Sequence, residues 1–286
     1  MRVLIACAAG WFCATALAQV EKPPDQPAER PALQNSGKPM TVDFQCTDED
    51  IQTFGLGCTL EDPCPIYLEL SSVEAVGNHI FVAGNIHSSS STLYSVLLTT
   101  GDAGKTWTEP HERIRTAGLD HIQFVDFENG WVSGEMLHPL PHDPFLLVTN
   151  DGGKQWHARS IFAEPRFALI TQFWFTSRTN GVLLIDRGQG GDSGRYELYE
   201  TPNGGESWGL RQTNDRPIQM RRFSGNADAD WRLRADKATH SYRVEHHAGD
   251  AWRSIASFAV SLTACKPPEP PPPLTTPSPA EPQPQP

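Results

Sequence analysis

Four arginines stand in the short irregular stretches that separate runs of alternating apolar residues: Arg113 and Arg115 in HERIRTAG, Arg166 in AEPRFALI and Arg216 in TNDRPIQM. A guanidinium offers a planar fork of donors that fits carboxylates and phosphates. One or two such groups in each of three successive stretches would make an anion-binding surface on an otherwise acidic protein. Each also has an acid close by, Glu112, Glu164 or Asp215, and the competing reading is an ion pair that only pins its own loop. Arg187 in RGQGGDSGR and His138 in LHPLPHD lie in two further polar loops and join the candidate ligand-binding set. A second chemistry is glycoside hydrolysis, for which Tyr196 or Tyr199 beside Glu197 or Glu200 would supply a nucleophile and its base. A third is metal binding by His138, His142 and Asp143. Pro139 and Pro141 break that loop, so the solvated reading is preferred and neither a metal nor a cofactor is expected.

A repeat must position these residues. TTGDAGKTW (Thr99–Trp107) is echoed by VTNDGGKQW (Val148–Trp156) and ETPNGGESW (Glu200–Trp208), and a decayed copy, HHAGDAW, ends at Trp252. The tryptophans are 49, 52 and 44 residues apart, a period that signals a repeat architecture. Short strands with turn signals fill each period, and no long segment has helical periodicity. The second unit reads HIQFVDF, NGWVSGEM, PFLLVTN and KQWHARSIF; the third reads TQFWFTS, NGVLLIDRG, RYELYET and ESWGLRQ. Four antiparallel strands per unit describe the blades of a β-propeller, all-β, with blades at about 66–116, 117–168, 169–216 and 217–262. The segment Thr41–Pro65 would add a partial fifth blade or cap the first. The echoed turn then joins the third and fourth strands. Asp102, Asp151 and Asn203 accept from turn amides, and Gly104, Gly153 and Gly205 take positive φ. Thr100, Thr149 and Thr201 tie the loop, while Trp107, Trp156 and Trp208 wedge against the sheet. The fourth copy keeps Gly249 and Trp252.

These turns resemble the Asp-box, or BNR repeat, of sialidases and many non-enzymatic propellers. Thr100, Asp102, Gly104, Thr106 and Trp107 match its pattern in full; Gln155 and Asn203 depart from it in the second and third copies. The resemblance implies that the box is a structural staple remote from the working face. A sialidase would also need three arginines, a Tyr–Glu pair and an acid/base aspartate, and its Phe-Arg-Ile-Pro-like opening motif is absent here. The pattern P-R-F…I-x-F-x-D…N-G-W-x-x-G…T-x-D-G-G-x-x-W also looks like the Ycf48/Hcf136 type of photosystem II assembly factor. That resemblance covers about Ile66–Phe258 and implies an arginine patch that engages a client polypeptide, although that family has seven blades and four are visible here.

The ends and the charge complete the expectations. VLIACAAGWFCATALA after Arg2 reads as a signal peptide cleaved after Ala18, giving a secreted or periplasmic protein with no membrane span. Residues 19–40 and 266–286 are proline-rich spacers, leaving 41–265 for the propeller. A net charge of −11 with no basic stripe argues against nucleic acid. Behind the leader, Cys46, Cys58, Cys64 and Cys265 favour disulfides over zinc, with three connectivities open. Cys58–Cys64 would close a local loop, and Cys46–Cys265 would clasp the ends, removing about 4–5 kcal/mol of unfolded-chain entropy. The function expected is binding or assembly on the connector face, with an acidic peptide, protein segment or glycan as partner. The alternative is a sialidase-type hydrolase.

Overall fold

The computed structural model describes residues 30–191, 194–219 and 230–267. The leader, most of the first spacer and the tail from 268 lie outside the described residues. Strands β1 (Leu33–Gln34) and β2 (Met40–Val42) precede one short helix, α1 (Asp48–Thr53). The first meander is β3 (Cys64–Val76), β4 (His79–Ser88), β5 (Thr92–Thr100) and β6 (Thr106–Trp107). The second is β7 (Ala117–Phe124), β8 (Gly130–Met136), β9 (His142–Thr149) and β10 (His157–Ser160). The third is β11 (Leu169–Phe175), β12 (Gly181–Asp186), β13 (Tyr196–Thr201) and β14 (Gly209–Asn214). The last contains β15 (Trp231–Asp236), β16 (Ser241–Ala248) and β17 (Ala251–Val260), followed by β18 (Ala264–Cys265). Within each meander the long strands pair antiparallel in chain order, while β6 meets β5 only through the Thr99–Thr108 bridge; the meanders form a set of propeller blades that we number I to IV.

Blades I and IV are completed by the chain ends. β2 adds in parallel to the outer edge of β17, with Met40 beside Phe258. β18 pairs with β3, placing Cys265 opposite Cys64, and β1 pairs with β6, placing Leu33 opposite Trp107. The folded region therefore begins before residue 41. Two- and three-residue strands flanked by Pro and Gly carry too little alternation to be read from sequence. Met40–Val42 completes blade IV instead of starting a fifth blade, and Phe44, Phe54 and Leu56 behind it pack into the core of blades I and IV. The expected first strand of the fourth unit, Ile218–Gly225, lies mostly outside the described residues. Helix α1 was not legible as periodicity, but its start is a capping box: the Thr47 hydroxyl accepts from Asp50 N, and Asp50 Oδ2 accepts from Thr47 N.

Three hydrophobic clusters hold the blades together. One joins IV to I through Val244, Ala256 and Phe258 against Ile80, Val82 and Leu98. The second joins I to II through Phe81, Ala83 and Leu97 against Ile122, Val132 and Trp156. The third joins II to III through Trp131 and Leu146 against Phe173, Phe175 and Leu183. Among the described residues none joins III to IV. Packing among the described residues therefore links the blades in the order III–II–I–IV.

The nine-residue turns make those joints. In blade I the Thr100 hydroxyl donates to Asp102 Oδ1 at 2.7 Å and accepts from Gly104 N at 3.0 Å. Asp102 in turn accepts from Lys105 N and Thr106 N, both at 2.9 Å, and from the Thr106 hydroxyl at 2.7 Å. Those donors, Thr106 above all, hold the Asp102 carboxyl well below the usual carboxylate range. Blades II and III repeat the threonine bonds, with Gly153 N and Gly205 N each 2.9 Å from Thr149 and Thr201.

A turn fixed in this way thrusts its glycine into the preceding blade. A Cβ on Gly104 would collide with Ile255 of blade IV, and one on Gly153 with the Phe81 ring of blade I. Gly204 O accepts from Trp131 Nε1 of blade II at 3.1 Å. Trp107 and Trp156 are buried and donate to the carbonyls of Gly104 and Gly153 at 3.1 and 3.0 Å. Trp208 differs, being half-buried with its Nε1 unpartnered. The fourth turn departs entirely. Ala248 pairs with Ala251 across a two-residue loop, a Cβ on Gly249 would meet nothing within 4 Å, and Trp252 lies beneath the Arg232 guanidinium at 4.0 Å. Among the described residues the glycine of the fourth turn is therefore not pressed into a neighbouring blade.

Cys46–Cys265 and Cys58–Cys64 are both disulfide-bonded. The first spans 219 residues and ties the loop behind β2 to the last strand. Three outcomes are expected. Thr100→Val should cost about 1–2 kcal/mol in urea unfolding, because Gly104 N loses its acceptor in a buried turn. Asp250→Ala, in the fourth turn, should stay within about 0.5 kcal/mol. Replacing Cys46 and Cys265 together by alanine should cost about 4–5 kcal/mol on the chain-entropy account; an unchanged midpoint would refute the clasp.

Candidate ligand-binding face

The connectors between blades meet the loops between second and third strands at one end of the sheets. Between blades II and III this is explicit. Asp143 N donates to Arg166 O at 2.9 Å, Arg166 N donates to Asp143 Oδ1 at 2.8 Å, and Ala168 N donates to Pro141 O at 3.3 Å. The indole-terminated turns sit at the other end, between third and fourth strands.

The candidate arginines divide into two sets. Arg113 is bidentate on Glu109, at 2.7 and 2.6 Å, and also donates to Asp43 O at 2.6 Å. Its partner is the acid four residues earlier, not the adjacent Glu112. Arg115 reaches Glu49 at 2.6 Å and Asp50 at 3.4 Å and donates to the Tyr94 hydroxyl at 3.2 Å. The Tyr94 hydroxyl donates to Asp50 Oδ1 at 2.6 Å, so these groups pin α1 to blade I. Arg187 is buried, 3.3 Å from Glu197, and donates to the carbonyls of Phe167 and Gly190. Arg166 and Arg216 are exposed, and among the described residues neither has an ion pair. The Arg166 guanidinium lies over the Phe162 ring at 5.0 Å, and Arg187 approaches the same ring at 5.6 Å.

The hydrolytic candidates lie inside the protein. The Tyr199 hydroxyl donates to Glu197 Oε2 at 2.7 Å, and both residues are buried in the core between blades II and III. Burial and the Glu197 carboxylate push the tyrosine ionisation well up, the opposite of what a nucleophile at neutral pH requires. Tyr196 lies under Arg195, whose guanidinium is 5.2 Å from the ring centroid. His138 packs edge-on against Phe54 at 6.5 Å, and His142 sits 3.8 Å from Asp143. Among the described residues, no group of three or more His, Cys, Asp or Glu side chains is placed to hold a metal ion.

Two features escaped sequence reading. Phe167 and Leu140 are 59% and 58% exposed, and the backbone contacts above bring their loops together beside Arg166. Phe167 follows Arg166 directly in PRFALI, but an apolar residue in a connector gives no sequence signal of its own exposure. The second is the far face of blade III, where Trp174, Val182, Glu200, Trp208 and Arg211 line a groove of about 610 Å³. Trp174 lies opposite Val182 in the ladder, an arrangement that only the strand register reveals.

The two arginine sets should separate experimentally. Arg187→Leu leaves Glu197 buried without its cation, with the Tyr199 hydroxyl as its remaining side-chain partner, and should cost about 3–5 kcal/mol in urea unfolding. Arg166→Ala should leave stability within about 0.5 kcal/mol.

No protein-family model and no curated protein matches the chain. Among solved structures it is similar to one described as YCF48 bound to D1 peptide, at 18% identity and a TM-score of 0.36, over 54% of this chain and 44% of that one. It is also similar to YCF48 from Cyanidioschyzon merolae, at 21% identity and a TM-score of 0.34, over 67% of this chain and 57% of that one. The chain spans less than two thirds of either of these proteins.

Proposed function

We propose that this chain is an exported, non-catalytic propeller that binds a partner through its connector face, taking an acidic peptide, protein segment or glycan. The observation that carries the reading is the patch between blades II and III, where exposed Arg166 stands beside exposed Phe167 and Leu140. A guanidinium without an acidic partner beside uncovered apolar side chains suits an acidic, partly apolar ligand. Arg216, equally exposed, extends the basic character along the next connector. The hydrogen bonding of Thr100, Asp102 and Gly104 supports assignment of the turns to the Asp-box type, which leaves them a structural role. Export is supported by the leader-like first eighteen residues and by two disulfides.

The test is retention of partners from the envelope of the exporting cell, comparing the wild-type chain with Arg166→Ala/Arg216→Ala. The double variant should recover at least tenfold less of the specific partner, with the wild-type interaction weakening as salt rises. Equal recovery by both proteins would reject the face. The hydrolytic alternative rests on the Tyr199–Glu197 hydrogen bond. A fluorogenic sialoside should give no turnover, and turnover abolished by Tyr199→Phe would replace the binding reading.

A further inference from the structure

The first strands of blades I, II and III each lose register at one place. The ladder skips Ser71 between Leu70 and Ser72, skips Asp120 and His121 between Leu119 and Ile122, and skips Thr171 between Ile170 and Gln172. Bulges of this kind re-aim side chains out of the pleat and recur beside functional sites. Here the skipped residues converge. Ser71, Asp120, His121 and Thr171, with Ser133 and Gln172, line one cavity of about 150 Å³ where the three blades meet.

Two hydroxyl donors of the lining are committed to backbone carbonyls, and it holds an acceptor to spare. The Ser71 hydroxyl donates to Leu119 O at 2.7 Å, and the Thr171 hydroxyl donates to Leu184 O at 3.2 Å. Ser133 Oγ accepts from His121 N at 3.1 Å. Gln172 Oε1 is buried with no partner, and Asp120 has no ion pair among the described residues. Close to Asp120, Glu135 is buried with its Oε2 likewise unpartnered, and burial together with the Asp120 charge raises its pKa to about 8. Glu135 lies outside the lining; within it a buried acceptor without a donor, Gln172 Oε1, is costly, so with the Asp120 carboxyl group the chamber is complementary to a group that carries several donors and positive charge.

We propose that this axial chamber binds one primary ammonium, presented by a lysine side chain of a partner polypeptide. An ammonium has three donors and no acceptor. Asp120 of blade II, Gln172 of blade III and the hydroxyl oxygens of Ser71 and Ser133 surround the space with acceptors. At about 30 Å³ per water, the cavity holds a side-chain head and its last methylenes but not a folded segment. The site shares no residue with the Arg166 face and stands or falls independently of it.

The test is titration of the full chain with Nα-acetyl-lysine methylamide, followed by calorimetry and by the ring resonances of His121, whose imidazole lies edge-on to Phe173 at 5.3 Å. Saturable binding that shifts His121, is absent for the norleucine analogue, and falls at least tenfold in Asp120→Asn and in Gln172→Leu supports the proposal. Asp120 is exposed, so Asp120→Asn should keep the wild-type Tm and carries the test alone if Gln172→Leu does not fold. No saturable shift, equal affinity in Asp120→Asn, or equal displacement by potassium chloride would overturn the site. Butylammonium binding as tightly as the lysine probe would assign it to free amines and overturn the side-chain source.

Discussion

The structure depends on a threonine hydroxyl that ties a turn so tightly that the turn's glycine backbone can be pressed into the next sheet. Thr100, Thr149 and Thr201 each bond the glycine amide four residues on, at 2.9–3.0 Å. The glycines sit at φ of +91°, +81° and +91°, where a side chain would be strained and, in blades I and II, would also strike the neighbouring blade. Each such turn joins its blade to the one before it. Blade I grips IV at Ile255, II grips I at Phe81, and III grips II through the Trp131 indole. The fourth turn has lost the threonine and the side-chain acceptor, and the interface it would have made, IV onto III, is the one that no hydrophobic cluster of the described residues fills.

The two ends of this run are built differently. Blade IV carries a charged, partly buried face in which Arg232 pairs with Glu245 at 2.7 Å, Arg243 pairs with Asp236 at 2.6 Å, and Arg234 lies beside Arg243 in the ladder. Its inner face is fastened to blade I by β2, β18 and the Cys46–Cys265 bond. Blade III instead turns Trp174 and Val182 into a groove, with Leu184 beside Pro217 and Ile218 at the inner end. The loops that carry Arg166 are anchored on the blades that the turns do join, so the candidate face inherits rigidity from the II–III joint.

The sequence made the repeat legible because a turn that must meet three demands at once leaves few residue choices: hydroxyl, short acceptor and glycine, then an indole. Strands longer than six residues were equally plain from alternation. What escaped was short or relational. β1 and β2 have two and three residues and exist because a partner edge is present, not because of their own pattern. The pairing of Arg113 with Glu109, and of Arg115 with Glu49, depends on how a connector folds back and where α1 docks, neither of which periodicity encodes. The axial bulges were invisible for the same reason. Ser71, Asp120 and Thr171 look like ordinary polar positions until the ladders beside them are drawn.

Native-state hydrogen exchange tests the order of the joints most directly, because it reads the opening free energy of each blade separately. Amides of β4 and β8, in blades gripped on both faces, should exchange only at the rate of global unfolding. Amides of β12 and β13 in blade III should exchange faster by a local opening, and Thr201→Val should speed them without altering β4. Equal protection of all four strands, unchanged by that substitution, would contradict joints held by the three turns.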